Sequence, residues 1–151
     1  MGYMILPYLR FFDFSGRSSR TEYWMFTLFF AVAILVPLIL SGGFDALLFG
    51  DATQTVDFEM LGAVGLVIGA FCLLSIIPIL ALTIRRFHDV GLSGWVYLML
   101  VLVSLVPVLG WLASIAIFVV SVVPSSAGDN QWGENPHGVE TDYRAALQNR
   151  Y

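Results

Sequence analysis

Two short polar stretches of the chain hold the residue types that could do chemistry, and each adjoins a long apolar run. Both combine arginine with carboxylate, and guanidinium groups pair with carboxylates and bind phosphate bidentately. If the two stretches meet on one face of a membrane, they form a polar cluster that could dock anionic lipid headgroups or a protein partner, or serve the architecture alone. The candidate cluster comprises Arg17, Arg20, Glu22, Arg85, Arg86, His88 and Asp89.

The second stretch carries a histidine beside an aspartate. On a helix, Asp89 lies four residues from Arg85 and three from Arg86, which permits ion pairs along one face. Asp89 could also orient His88 or shift its charge state. No nucleophile and no set of metal ligands accompanies this pair. We therefore predict no catalytic residue, no metal and no cofactor.

A third polar segment follows the last apolar run. It is rich in Gly, Asn and Pro, which indicates turns and loop rather than helix. Its oxygen donors do not have the spacing of an EF-hand loop. Asn130 and Trp132 are the candidates for an ordered cap over the ends of the helices.

The elements that must position these residues are apolar. The chain has 151 residues, of which 12% are charged, against about 25% in an ordinary soluble domain. Residues 23–44, 60–84 and 90–128 carry no charge at all. This distribution excludes a soluble globular domain, a disordered chain and a disulfide-stapled secreted protein. The net charge of −4 argues against a nucleic-acid partner.

The apolar runs predict an all-α, polytopic transmembrane helical bundle. About 20 helical residues cross a hydrocarbon core of about 30 Å. A single helix over residues 90–128 would measure about 58 Å, so we favour four spans over three. The alternative is three spans with one long kinked helix or a re-entrant piece. The predicted spans are 23–40, 60–84, 92–107 and 108–124.

Around these spans, the predicted organisation is a cytoplasmic N-terminal segment (1–22), a transmembrane domain (23–124) and a polar C-terminal tail (125–151). Arginine precedes the first span and follows the second, whereas the loop over 41–59 is acidic. The positive-inside rule therefore places the N-terminus in the cytoplasm, and four spans return the C-terminus to the same side.

Small residues within the second predicted span form a helix-packing motif. Gly65 and Gly69 stand four residues apart, which supports close helix packing, either within the chain or between chains of a homo-oligomer. No ionisable residue lies deep inside a predicted span, which disfavours an ion-driven transporter. A passive pore could still be lined by hydroxyl residues, namely Ser75, Thr83, Ser104 or Ser114.

Taken in order, the motifs resemble the domain of unknown function 805 family, the YhaH-like small bacterial inner-membrane proteins. The matching pieces are Phe14-x-Gly16-Arg17-x-x-Arg20-x-Glu22-Tyr23-Trp24, Arg85-Arg86-x-His88-Asp89, Gly91-x-Ser93-Gly94-Trp95 and Gly128-x-Asn130-x-Trp132-Gly133. Ser125 and Trp132 depart from the usual pattern of the last motif. The resemblance implies a multi-pass protein of the bacterial inner membrane and supplies no reaction, substrate or cofactor.

Three functions remain open from the sequence. The favoured one is a non-enzymatic membrane protein whose cytoplasmic-face cluster docks anionic lipid headgroups or a protein partner. The first alternative is a small-solute channel or transporter subunit. The second is a membrane enzyme that uses His88 and Asp89 on a lipid-linked substrate.

Overall fold

The computed structural model describes residues 2–42 and 58–136, with the side chain of residue 58 excepted. These residues form helices and no strand, which confirms the all-α prediction. The helices are α1 (Gly2–Leu9), α2 (Arg20–Leu40), α3 (Phe58–Asp89), α4 (Gly94–Ser104) and α5 (Pro107–Val122).

Two of the helices are long and apolar enough to cross a membrane. At the helical rise, the 21 residues of α2 extend about 31 Å and the 32 residues of α3 about 48 Å. Ser19 caps α2, because its hydroxyl accepts a hydrogen bond from the backbone N–H of Glu22 at 3.2 Å. Helix α3 continues past the end of its apolar run to Asp89, so the Arg-rich stretch forms its last turns.

The third apolar run divides into two short helices. Helix α4 has 11 residues, about 16 Å, and α5 has 16 residues, about 24 Å. The chain reverses between them at Leu105 and Val106, and Pro107 opens α5, where its missing N–H costs no helical hydrogen bond. Neither helix reaches the thickness of the hydrocarbon core, so the helix lengths do not confirm the four-span prediction.

Near the N-terminus, a short apolar stretch that contains Pro7 forms helix α1. It packs against both α2 and α3. The hydroxyl groups of Tyr8 and Ser75 lie 2.6 Å apart, and the Tyr8 ring packs on Phe26 and Phe71. Helix α1 therefore fastens the start of the chain to the middle of α3.

The glycines of the helices have different surroundings. A Cβ atom added at Gly65 or Gly69 would meet no atom within 4 Å, so no close helix contact is made there within the part of the chain that the structure describes. Packing between chains at these glycines stays a prediction. At Gly110, by contrast, an added Cβ would lie 2.8 Å from the carbonyl oxygen of Ser104. The close approach of α4 and α5 at this point therefore depends on glycine at position 110.

We predict that Gly110→Ala lowers the free energy of unfolding by about 1–3 kcal/mol, because backbone rather than a flexible side chain must move to admit the methyl group. The matched control is Gly62→Ala, a helical glycine with nothing within 4 Å of the added Cβ. Denaturant unfolding of both variants in detergent micelles measures the difference. Equal stabilities would contradict the close α4–α5 contact.

Candidate functional site

The last turns of α3 are the meeting point of three chain segments. The N-terminal flank reaches them through the Ser18 backbone N–H, which donates to the Arg85 carbonyl at 3.2 Å. The tail reaches them through Ser126, whose N–H donates to the Asp89 carbonyl at 3.0 Å. Residues from before α2 and after α5 thus lie on the same end of the bundle.

Asp89 is at the centre of this meeting point and is fully buried. Its carboxylate accepts a hydrogen bond from Arg17 Nε at 2.9 Å, and a second guanidinium, that of Arg86, donates to the other oxygen. The Ser125 hydroxyl donates to that same oxygen. Because a buried carboxylate is costly unless paired and hydrogen-bonded, these three donors explain how the charge is accommodated.

Arg17 links Asp89 to the tail. Its remaining guanidinium nitrogens donate to the carbonyl of Ser126 at 2.9 Å and to that of Gly128 at 2.7 Å. The side chain is almost completely buried. The planar fork of a guanidinium suits this role, because one group holds a carboxylate and two carbonyls in fixed directions.

Arg86 links Asp89 to the end of α5. It is fully buried, and one of its nitrogens donates to the carbonyl of Val123, the residue that follows α5. A helix C-terminus leaves carbonyls without intrahelical partners and carries partial negative charge, so a guanidinium is stabilising there. The Asp89 network therefore fixes the end of the α4–α5 hairpin as well as the tail.

Arg85 belongs to a second group of charges. It is fully buried, and its guanidinium lies 3.6 Å from Glu22 Oε1 and 3.9 Å from Asp13 Oδ2. Helical spacing permitted a pair with Asp89, but the structure directs Arg85 toward α2 and the N-terminal flank instead. Both carboxylates are at ion-pair distance from the Arg85 guanidinium, but neither is within hydrogen-bond distance of its nitrogens.

Asp13 sits at the exposed edge of that second group. The Ser15 hydroxyl donates to its carboxylate at 2.6 Å, and Arg10 donates at 2.7 Å to the other oxygen. These contacts, the Ser15 hydroxyl first, lower the pKa of Asp13 to about 2. Asp13 therefore stays ionised and able to face Arg85 throughout the physiological range of pH.

His88 points away from Asp89. Its Nδ1 lies 3.2 Å from the Gly16 carbonyl, which can only accept, so Nδ1 carries the proton of this hydrogen bond. The imidazole stacks on the Trp132 indole with ring centres 3.8 Å apart. Asn130 donates to the His88 carbonyl at 2.9 Å. A catalytic His–Asp pair would need a hydrogen bond between His88 and Asp89. Instead, His88 contacts Gly16 and Trp132, and Asp89 contacts Arg17 and Arg86.

Arg20 differs from the other three arginines of the candidate cluster. Its side chain is exposed, and within the described residues its hydrogen bond is a long contact of 3.4 Å with the Val122 carbonyl. Together with Thr21, Trp24 and Val122 it lines an open groove of about 330 Å³. This groove lies where α2 begins and α5 ends.

The structure thus brings all the predicted cluster residues to one end of the bundle, in four settings. Arg17, Arg86 and Asp89 form one buried network, Glu22 and Arg85 form another with Asp13, and Arg20 faces outward. Asn130 and Trp132 contact His88. Neither Asp13 nor Ser125 was predicted as a member of the cluster, although Ser125 was noted as a departure from the pattern of the last motif. For Asp13, the only signal was a carboxylate close to the N-terminal polar stretch.

Two other kinds of site are a metal site and a pore lined by hydroxyl groups. No group of three His, Cys, Asp or Glu side chains among the described residues is placed to hold a metal ion. The hydroxyls of Thr83 and Ser104, two of the proposed pore-lining residues, each bond a backbone carbonyl of their own helix. Ser75 does the same and also contacts Tyr8.

We predict that Asp89→Asn lowers the free energy of unfolding by at least about 3 kcal/mol, because two buried guanidinium groups lose their counter-charge. The matched control, Asp13→Asn, removes a carboxylate that is partly exposed and should cost at most about 1 kcal/mol. Denaturant unfolding in detergent micelles compares the two. Similar losses for both variants would contradict the central role of Asp89.

Comparison with known proteins identifies the family of this chain. The family model described as "Protein of unknown function (DUF805)" matches residues 11–134. The inner membrane protein YhaI of Escherichia coli strain K12 is 33% identical over 124 residues, which cover 82% of this chain and 85% of that protein. The inner membrane protein YhaH of the same strain is 30% identical over 123 residues, covering 82% and 86%.

No solved structure matches the chain. The family match covers the N-terminal flank, all of the helices from α2 to α5 and most of the tail segment that the structure describes. YhaI and YhaH are inner membrane proteins, in agreement with the long apolar helices and the polar end of the bundle. The chain is therefore a membrane protein that belongs to the DUF805 family.

Proposed function

We propose that this protein is a non-enzymatic, multi-pass protein of the bacterial inner membrane that binds the phosphate of anionic phospholipids at Arg20. The observation that carries the proposal is the exposure of this one guanidinium. Arg17, Arg85 and Arg86 are buried and face carboxylates or carbonyls of the chain itself. Arg20 retains donors for an external anion.

The charge around Arg20 supports an anionic ligand. Arg20 and Arg86 donate to the successive carbonyls of Val122 and Val123, so their guanidinium groups approach the same end of α5. Arg17 joins this region through Asp89, which is the one carboxylate among them. Three positive groups against one negative group leave an excess of two positive charges, which attracts anions.

The other groove residues fit a site at the membrane boundary. Thr21 lies in the first turn of α2, where free N–H groups and the helix dipole favour an anion. Trp24 is 41% exposed and stands edge-on to Phe118 of α5. Tryptophan is enriched at the level of lipid headgroups, where its N–H can meet polar groups while its ring meets acyl chains.

Purified protein should retain anionic phospholipid, and Arg20→Gln should lose most of it, because the exposed guanidinium supplies the charge and the donors for the phosphate. Native mass spectrometry from nanodiscs of phosphatidylglycerol and phosphatidylethanolamine measures the retained lipid. The matched control Arg20→Lys keeps the charge and should retain more lipid than Arg20→Gln. Equal retention by the wild type and Arg20→Gln would refute the proposal.

The transmembrane arrangement is part of the proposal. Helices α2 and α3 cross the membrane, with the arginine-rich end of the bundle in the cytoplasm, as the positive-inside rule requires. Helix α4 begins beside His88, and α5 ends on Arg86, so both ends of this hairpin adjoin the same polar layer. Because α4 extends only about 16 Å, which is too short to cross the hydrocarbon core, we propose that α4 and α5 form a re-entrant hairpin rather than two further full spans.

Single-cysteine variants in a Cys72→Ser background test this arrangement. Leu105→Cys, at the tip of the hairpin, should resist a membrane-impermeant maleimide from either side, because it stays within the hydrocarbon core. Glu59→Cys, at the exposed start of α3, is the control and should react from the periplasm. Labelling of Leu105→Cys from the periplasm would instead establish four spans.

A further inference from the structure

A second groove is lined by His88 and by none of the charged residues Arg17, Arg86 and Asp89. It has a volume of about 230 Å³ and is open to the outside. Six of its wall residues belong to the four motifs singled out in the sequence, of which the first and the last are far from the two middle ones along the chain. These residues are Phe14, His88, Ser93, Gly94, Trp95 and Trp132.

The walls of this groove combine aromatic faces with a few polar atoms. The His88 Nδ1 proton is held by the Gly16 carbonyl, so in the neutral ring Nε2 is a hydrogen-bond acceptor. The Trp132 indole N–H is buried and has no hydrogen-bond partner within residues 2–42 and 58–136. The Ser93 hydroxyl accepts from the Trp95 N–H at 3.4 Å and keeps its own proton for donation. These three wall residues thus carry one acceptor and two donors.

The shape of the groove depends on Gly94, which has no side chain. A Cβ atom there would lie 2.7 Å from Ile84 and 3.2 Å from His88 Nε2. The glycine lets the first turn of α4 approach α3 so closely that the imidazole and the Trp95 side chain belong to one surface. Among the residues that the structure describes, no acidic residue and no arginine lines this groove, in contrast to the groove at Arg20.

The size and chemistry of the groove select a class of ligand. An engineered apolar cavity of about 150 Å³ holds a benzene ring, whereas drug-sized pockets begin at about 300 Å³. A space of about 230 Å³ therefore suits one substituted ring rather than a whole lipid. Stacking walls favour a planar head, and uncharged donors and acceptors favour hydroxyl or carbonyl oxygens.

We propose that this groove binds the uncharged head of a membrane quinone or quinol, with the isoprenoid tail leaving along α4. A quinol hydroxyl donates to His88 Nε2, and a quinone carbonyl accepts from the Trp132 N–H or the Ser93 hydroxyl. The exposed apolar side chains of α4, including Met99 and Leu102, continue from the groove and provide a surface for the tail. This site is independent of the lipid site at Arg20.

Photolabelling tests the proposal. Protein in nanodiscs is irradiated with a short-chain azidoquinone, and the labelled peptides are identified by mass spectrometry. We expect label on the peptides that hold Trp95 and Trp132, and we expect unlabelled decylubiquinone, but not decanol, to compete. Label spread evenly over the lipid-facing helices, or an absence of competition, would overturn the proposal.

A matched pair of variants keeps the test sharp without altering His88, which also supports the fold. Leu98→Trp fills the groove from α4 and should weaken labelling about tenfold, since a wall residue then occupies the space of the ring. Leu66→Trp places the same side chain at an exposed position of α3 that does not line the groove, and it should leave labelling unchanged. Arg20→Gln should also leave it unchanged. Full labelling of Leu98→Trp would exclude this groove as the site.

Discussion

The buried carboxylate of Asp89 is the interaction on which the rest of this structure depends. Two guanidinium groups, from Arg17 and Arg86, and the hydroxyl of Ser125 share its two oxygens. Removing three charges from water is costly, and the contacts offset that cost only while all the partners are present. Through them, one side chain at the end of α3 fixes the N-terminal flank, the end of α5 and the start of the tail.

The network also decides which groups remain for function. Because Arg17 and Arg86 serve Asp89 and Arg85 faces Glu22 and Asp13, Arg20 is the arginine of the candidate cluster that stays exposed. The same network holds the tail so that Trp132 reaches the face of His88. Two grooves of different character result. One is cationic and lies at the start of α2, and the other is aromatic and uncharged and lies at the start of α4.

Much of the fold follows from the sequence because charge-free runs have few alternatives to helix in a membrane. The runs after Glu22 and after Glu59 became α2 and α3. The predicted break of the third run, between residues 107 and 108, lies within about two residues of the observed reversal at Leu105 and Val106, but the sequence did not reveal that α4 would have only 11 residues. At this break Gly110 approaches the Ser104 carbonyl closely, a contact that the composition of the run does not show. The partner of Arg85 could not be predicted from the sequence, because helical spacing permits an ion pair with Asp89. Only the packing of α2 against α3 brings Glu22 within 3.6 Å of the Arg85 guanidinium.

A double-mutant cycle between Arg17 and Asp89 tests the central claim most directly. The free energies of unfolding of Arg17→Gln, Asp89→Asn and the double variant are compared with that of the wild type in detergent micelles. If the two side chains stabilise the bundle through each other, the losses will be non-additive, with a coupling of at least about 1.5 kcal/mol. Losses that add to within about 0.5 kcal/mol would contradict a structure organised around the Asp89 carboxylate.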